Sequence, residues 1–132
     1  YIYKFINNTF IIDGDEVRKH INPELGYNIN DRKIQLDKVY GIAKLVILNK
    51  LFPIVSTVMM NNKILKECNI KKIKVVKIER PKKQIFKIRE IYSNEQNVVG
   101  MDIVLERFKT PIIHNSGDNE FKDIIKKFLV NL

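Results

Sequence analysis

The chain has 132 residues, 45% of them hydrophobic, which suits one domain with a buried core and excludes a disordered segment. Its 24 basic and 15 acidic residues give a formal charge of +9, a balance that suits small anionic substrates. No basic run with interleaved aromatics, no finger spacing and no RRM-type aromatic motif is present, so nothing beyond the charge supports a nucleic-acid partner. The excess is almost all lysine, in a chain equally heavy in isoleucine and asparagine, so part of the charge reflects AT-rich coding on a solvated surface. No apolar run approaches the roughly 18 residues of a membrane span. The opening YIYKFINN lacks the features of a signal peptide, and the lone Cys68 excludes an internal disulfide; both fit a cytoplasmic setting.

Residues 9–13 (TFIID) are a β-branched and aromatic run that reads as a strand. Asp15 or a neighbour is placed to cap a helix ending near Asn22, where Pro23 stops it. PELGYNIN at 23–30 reads as a loop, and 31–50 as a long helix with Ile34, Val39, Ile42, Leu45, Val46 and Leu48 on its apolar face. FPIVSTV at 52–58 has the continuous apolar pattern of a strand buried on both faces. A short helix at 60–68, a strand at 73–78 and a helix at 81–92 follow. Residues 93–110 are weakly periodic and read as a lid, 111–114 as a last short strand. Asp118 or Asn119 caps a final amphipathic helix with Phe121, Ile124, Ile125, Phe128 and Leu129 on one side.

Strands alternating with helices predict an α/β fold with a mostly parallel sheet flanked by helices. Ligands of such sheets sit beyond the carboxyl ends of the strands, where Asp13-Gly14-Asp15 and Ser56-Thr57 fall. Spacing alone leaves two readings of Asp15 and Arg18 open: a helix cap with an i,i+3 ion pair, or a substrate-handling corner. His20 and His114 lack metal-ligand spacing, Met59 and Met60 suit core or pocket lining, and Cys68 suits a structural role.

Six short motifs occur in order: IIDGDEVR at 11–18, NPELGYN at 22–28, DR at 31–32, AKL at 43–45, IVS at 54–56 and NVVGMD at 97–102. Together they resemble the adenylylsulfate kinase family of P-loop kinases. The resemblance implies a three-layer P-loop NTPase-like fold and transfer of the γ-phosphoryl group of ATP to a nucleotide 3′-hydroxyl, with Mg²⁺. It places Asp15 beside that hydroxyl and the magnesium shell, as the group that accepts the proton or holds metal-bound water. Arg18 and Arg32 match substrate-side arginines, Tyr27 an aromatic next to the base, and Ser56 and Thr57 the substrate wall. Asn97 and Asp102 would belong to the closing lid, and a homodimer is in keeping with the family.

The pattern also departs from the family. No G-x-x-x-x-G-K-[ST] occurs, although the phosphates of ATP need its amides and lysine. Residues 1–8 look like the tail of the helix after such a loop. The expectation is therefore one kinase domain over 1–132 whose first strand and P-loop lie outside the sequence, leaving the ATP-binding residues unassigned. TVMM at 57–60, a short lid without K-G-L-Y, and Gln35 and Asp37 in place of asparagine and arginine bear on the substrate. Adenylylsulfate is one candidate; cytidine diphosphoramidate, the acceptor of a related branch in capsular polysaccharide biosynthesis, is another. A nucleotide-binding domain without catalysis is the alternative from a different class.

Overall fold

The structure is a computed structural model that describes residues 7–80, 99, 103, 109–115 and 119–130. Strand β1 (Thr9–Asp13) leads directly into helix α1 (Gly14–Ile21), which is followed by α2 (Ile29–Leu48) and β2 (Phe52–Ser56). Then come α3 (Asn62–Ile70), β3 (Lys77–Glu79), β4 (Ile112–His114) and α4 (Asn119–Val130). β1 and β2 pair in parallel with Asp13 opposite Ser56, and β3 and β4 pair in parallel with Glu79 opposite His114. The α/β class and parallel strands are as expected, but the described residues form two separate two-stranded sheets rather than one.

Side-chain caps set where each helix begins. Asp13 accepts from the Asp15 amide at 2.9 Å and so starts α1 at Gly14; of the expected cap, Asp15 or a neighbour, it is the neighbour that serves. Asn28 accepts from the amides of Asn30 and Asp31 at 3.0 Å, which begins α2 at Ile29 rather than residue 31. Asn61 accepts from the Ile64 amide at 2.8 Å, so α3 spans Asn62–Ile70 instead of 60–68.

The ends of α2 and α3 share one device. After α2, Leu51 N–H donates to Val46 O and Lys50 N–H to Ile47 O; after α3, Ile73 N–H donates to Cys68 O and Lys72 N–H to Asn69 O. Both turns place a lysine in the left-handed region, Lys50 at φ 59° and Lys72 at φ 56°, where glycine is usual. The expected ends at 50 and 68 therefore fall two residues beyond Leu48 and two short of Ile70.

Helix α2 carries two core clusters. Val39, Ala43 and Val46 pack with Ile12 of β1 and Val17 of α1, while Leu36 and Tyr40 pack with Met59, Ile64 and Cys68. These α2 positions recur every three or four residues, the period of one helix face. Of the expected face, Val39, Ile42 and Val46 are in or against the core, whereas Ile34, Leu45 and Leu48 are exposed, Leu48 at 77%. The helix is apolar on several sides, so spacing could not select the buried one. β2 is also not buried on both faces: Phe52 and Val55, three residues apart and so on opposite faces, are both exposed.

Beyond α3, the expected strand at 73–78 is confined to Lys77–Glu79, and the last strand is Ile112–His114. Helix α4 buries Ile125 and half-buries Phe121, Ile124, Phe128 and Leu129, the face read from the sequence. The expected helix at 81–92 lies outside the described residues. So does most of the 93–110 segment, of which Val99 and Ile103 form an isolated parallel bridge.

Candidate functional site

At the carboxyl ends of β1 and β2 the chain forms a pocket. The β1–α1 corner contributes Asp13, Gly14, Asp15 and Arg18; α2 contributes Arg32, Gln35 and Leu36; the chain after β2 contributes Ser56 to Met59. Five of the residues singled out in the sequence, Asp15, Arg18, Arg32, Ser56 and Thr57, line this one pocket. The parallel register explains why, since it sets Asp13 beside Ser56 and thus both strand ends at one level.

Gly14 makes the corner close. A β-carbon there would lie 3.0 Å from Ser56 O, tighter than ordinary contact. The Asp13 carboxylate is engaged as the α1 cap. The Asp15 carboxylate is exposed at the pocket, and among the described residues it has no hydrogen-bond or ion-pair partner. The i,i+3 pair with Arg18 does not form.

Arg18 is instead buried and turned to the 23–28 loop. Its guanidinium donates to Leu25 O at 3.1 Å and to Gly26 O, and lies 4.7 Å from the Tyr27 ring centre. Arg32 donates from Nε to Tyr27 O at 2.7 Å and lies 5.4 Å from the same ring. Three successive carbonyls are thus held by two guanidiniums, and the exposed Tyr27 ring braces both. Tyr27 itself is not among the pocket-lining residues. Asp31 finishes the loop, its Oδ2 accepting from Gly26 N–H at 2.8 Å and Asn28 Nδ2 at 2.7 Å.

The Thr57 hydroxyl donates to Met59 O at 3.2 Å, which turns the chain after β2 and brings Met59 to the pocket wall and core together. Asn97 and Asp102 lie outside the described residues. Gln35 and Val58, noted in the sequence only as departures from the family pattern, also line the pocket, and so does Leu36, which was not singled out. Leu36 adjoins Gln35, which follows Arg32 by three residues on one helix face, and that spacing is the signal that could have found it.

Beside the pocket, burial pushes the Tyr40 hydroxyl up to about 12, and the charges of Cys68 and Glu67 add to the shift. That hydroxyl makes no hydrogen bond of acceptable geometry, although Glu67 lies near enough to act on it as a charge and a weak acceptor. Burial also raises the Cys68 thiol, with Glu67 adding to the rise and Lys71 opposing it. A buried thiol held protonated is a packing group, as its sequence context suggests.

A parallel α/β unit with a carboxylate, two arginines and a helix N-terminus at its strand ends belongs to the P-loop NTPase-like class. The family model described as adenylylsulphate kinase matches residues 2–86, well over half of the chain, and the chain belongs to this family. All the pocket residues fall within the matched segment. The chain is accordingly nucleotide-kinase-like. No individual curated protein matches it.

Proposed function

We propose that the chain acts as an ATP-dependent kinase on the 3′-hydroxyl of a small nucleotide with an anionic or polar tail. The observation that carries this reading is the exposed Asp15 carboxylate, without a partner among the described residues, on a pocket shared with Arg18 and Arg32. A carboxylate so placed accepts or polarises the hydroxyl proton, a contribution of roughly 10²- to 10⁴-fold in such reactions. Phosphoryl transfer otherwise depends on positioning and charge neutralisation, which the arginine pair supports. Arg18 is held by backbone carbonyls, so in this reading it shapes the loop and the field, and Tyr27 offers its exposed ring to the base. Ser56 and Thr57 form the wall opposite, and residues 93–110, with Asn97 and Asp102, serve as the lid.

The donor set fits Mg²⁺ held mainly through water and phosphate. Among the described residues no group of three or more His, Cys, Asp or Glu could enclose a metal ion. Magnesium commonly takes one or two carboxylates with its remaining positions filled by water and phosphate oxygens. Asp15 is the residue that would hold it, and the ion would supply charge neutralisation at the transferring group. No G-x-x-x-x-G-K-[ST] occurs in the 132 residues, and no residue here is assigned to the phosphates of ATP.

A coupled ADP-release assay on the full-length protein tests the reading, with adenylylsulfate and cytidine diphosphoramidate as parallel acceptors. Turnover with one of them that requires Mg²⁺ is expected. ATP binding with no turnover of either acceptor would overturn it in favour of a non-catalytic nucleotide-binding domain.

A further inference from the structure

A chain of polar groups with two buried amides at its centre runs beneath the pocket. Asn22, the residue that ends α1, is fully buried at 0% exposure, and Gln35 of α2 is 6% exposed. Lys38 Nζ donates to Asn22 Oδ1 at 2.7 Å. Asn22 Nδ2 donates to Gln35 Oε1 at 2.8 Å, and Gln35 Nε2 donates to Gly14 O at 2.8 Å. The two ends settle the direction of every bond, since an ammonium only donates and a backbone carbonyl only accepts. Neither amide can flip without setting like groups against each other.

Gln35 therefore holds the first residue of α1 directly and the last through Asn22. Asp15 and Arg18 lie between those two points. We propose that Gln35 is the positioning residue of this site, clamping α1 at both ends so that Asp15 faces the pocket and Arg18 meets the 23–28 loop. The proposal rests on the kinase reading for its effect on turnover, but the clamp itself does not. A glutamine suits the span because one amide must serve a donor on one side and an acceptor on the other. The Asn22–Gln35 bond is buried and the Gln35–Gly14 bond partly so, and a partner missing there is not replaced by water at no cost.

The test uses the full-length protein with Gln35→Ala, Gln35→Met and Gln35→Glu. Amide protection factors are read in α1 (residues 18–21) and in α2 (39–46), together with kcat and the KM for each nucleotide. Each variant should lower α1 protection by about tenfold, as loss of a buried hydrogen bond implies, with α2 changed by less than about twofold. The rate constant kcat should fall by about tenfold while the KM for ATP stays unchanged. Gln35→Glu carries a further signature: protonating the introduced carboxyl restores a donor toward Gly14 O. Its α1 protection should recover in acid, while that of the volume-conserving Gln35→Met should not. Lys38→Met should move protection by less than about twofold, because Lys38 is half exposed and water can take its place.

Unchanged α1 protection in all three Gln35 variants overturns the clamp, as does an equal loss in α1 and α2. Loss of protection with unchanged kcat overturns the positioning role. If the unaltered protein turns over neither nucleotide, the kinase reading falls, and the exchange data alone decide the clamp.

Discussion

Two parallel strand pairs in this molecule end in charged residues, and they differ in what stands behind them. β1 and β2 pair over five residues, carry α1 and α2 against one face, and end at the pocket. β3 and β4 pair over three residues and end in Glu79 and His114, with Lys77 at the start of β3; Lys77 and His114 are exposed and Glu79 partly so. Lys77 Nζ lies 2.6 Å from Glu79 Oε1, and His114 Nδ1 lies 4.0 Å from Glu79 Oε2. At the first strand end, Asn22 and Gln35 are buried, directed and coupled to a helix. At the second, each charge can turn to water. Parallel strand ends thus bring charges together in both regions, but among the described residues only the first has buried amides that tie it to a helix.

The sharpest way to break this contrast is chemical. Asp15→Asn should reduce kcat by about 10²- to 10⁴-fold with the melting temperature unchanged, because among the described residues the carboxylate has no hydrogen-bond or ion-pair partner to lose. Retained turnover would remove Asp15 from the mechanism and reduce the first strand end to a surface like the second. Next in size is packing. Ile64→Ala, in the cluster beneath the pocket at 2% exposure, should cost about 2–5 kcal/mol in denaturant unfolding. Ile78→Ala on β3, at 52% exposure, should stay within about 0.5 kcal/mol. Similar costs for the two would mean that the regions are equally well packed.

The smallest effects are those of pH, and they carry opposite signs in the two regions. Tyr40 and Cys68 are acids whose folded values are raised by burial. The unfolded chain releases these protons first, so their stabilisation is complete below the ordinary values of 9.0 and 10.0 and is lost as pH rises, for Tyr40 up to about 12. Tyr40→Phe should flatten the alkaline limb of stability above pH 10, the ordinary tyrosine value. Glu79 is held below the usual carboxylate range, first by its hydrogen bond from Lys77 and then by that charge. Its contribution is present above the unfolded value and is lost as pH falls through the folded one. The group is exposed, so Lys77→Met should shift acid unfolding only marginally; a large shift would show that the second region is more tightly built than its exposure indicates.

Much of the site was legible from local chemistry. A β-branched run ending in Asp-Gly-Asp had to be a strand meeting a helix, and strand–helix alternation put that corner beside Ser56 and Thr57. The arginines at 18 and 32 came from the resemblance of IIDGDEVR and DR to family motifs, and the structure brings both to the pocket. The roles of individual polar atoms were not legible in the same way. Asp13, not Asp15, caps α1, and Arg18 pairs with carbonyls of the 23–28 loop rather than with Asp15. Both depend on competition among neighbours of equal chemical aptitude, which spacing does not rank.

The sequence by itself determined the α/β order, the position of the acidic corner and the family, because these follow from short-range periodicity and motif order. Tertiary structure decided which side of α2 is buried, since that helix is apolar on several sides and only contact with β1, β2 and α3 selects one. It also decided that Asn22 and Gln35, two unremarkable amides 13 residues apart, join in one buried chain under the pocket. A hydrogen bond over that separation depends on how two helices pack, and no local pattern records it.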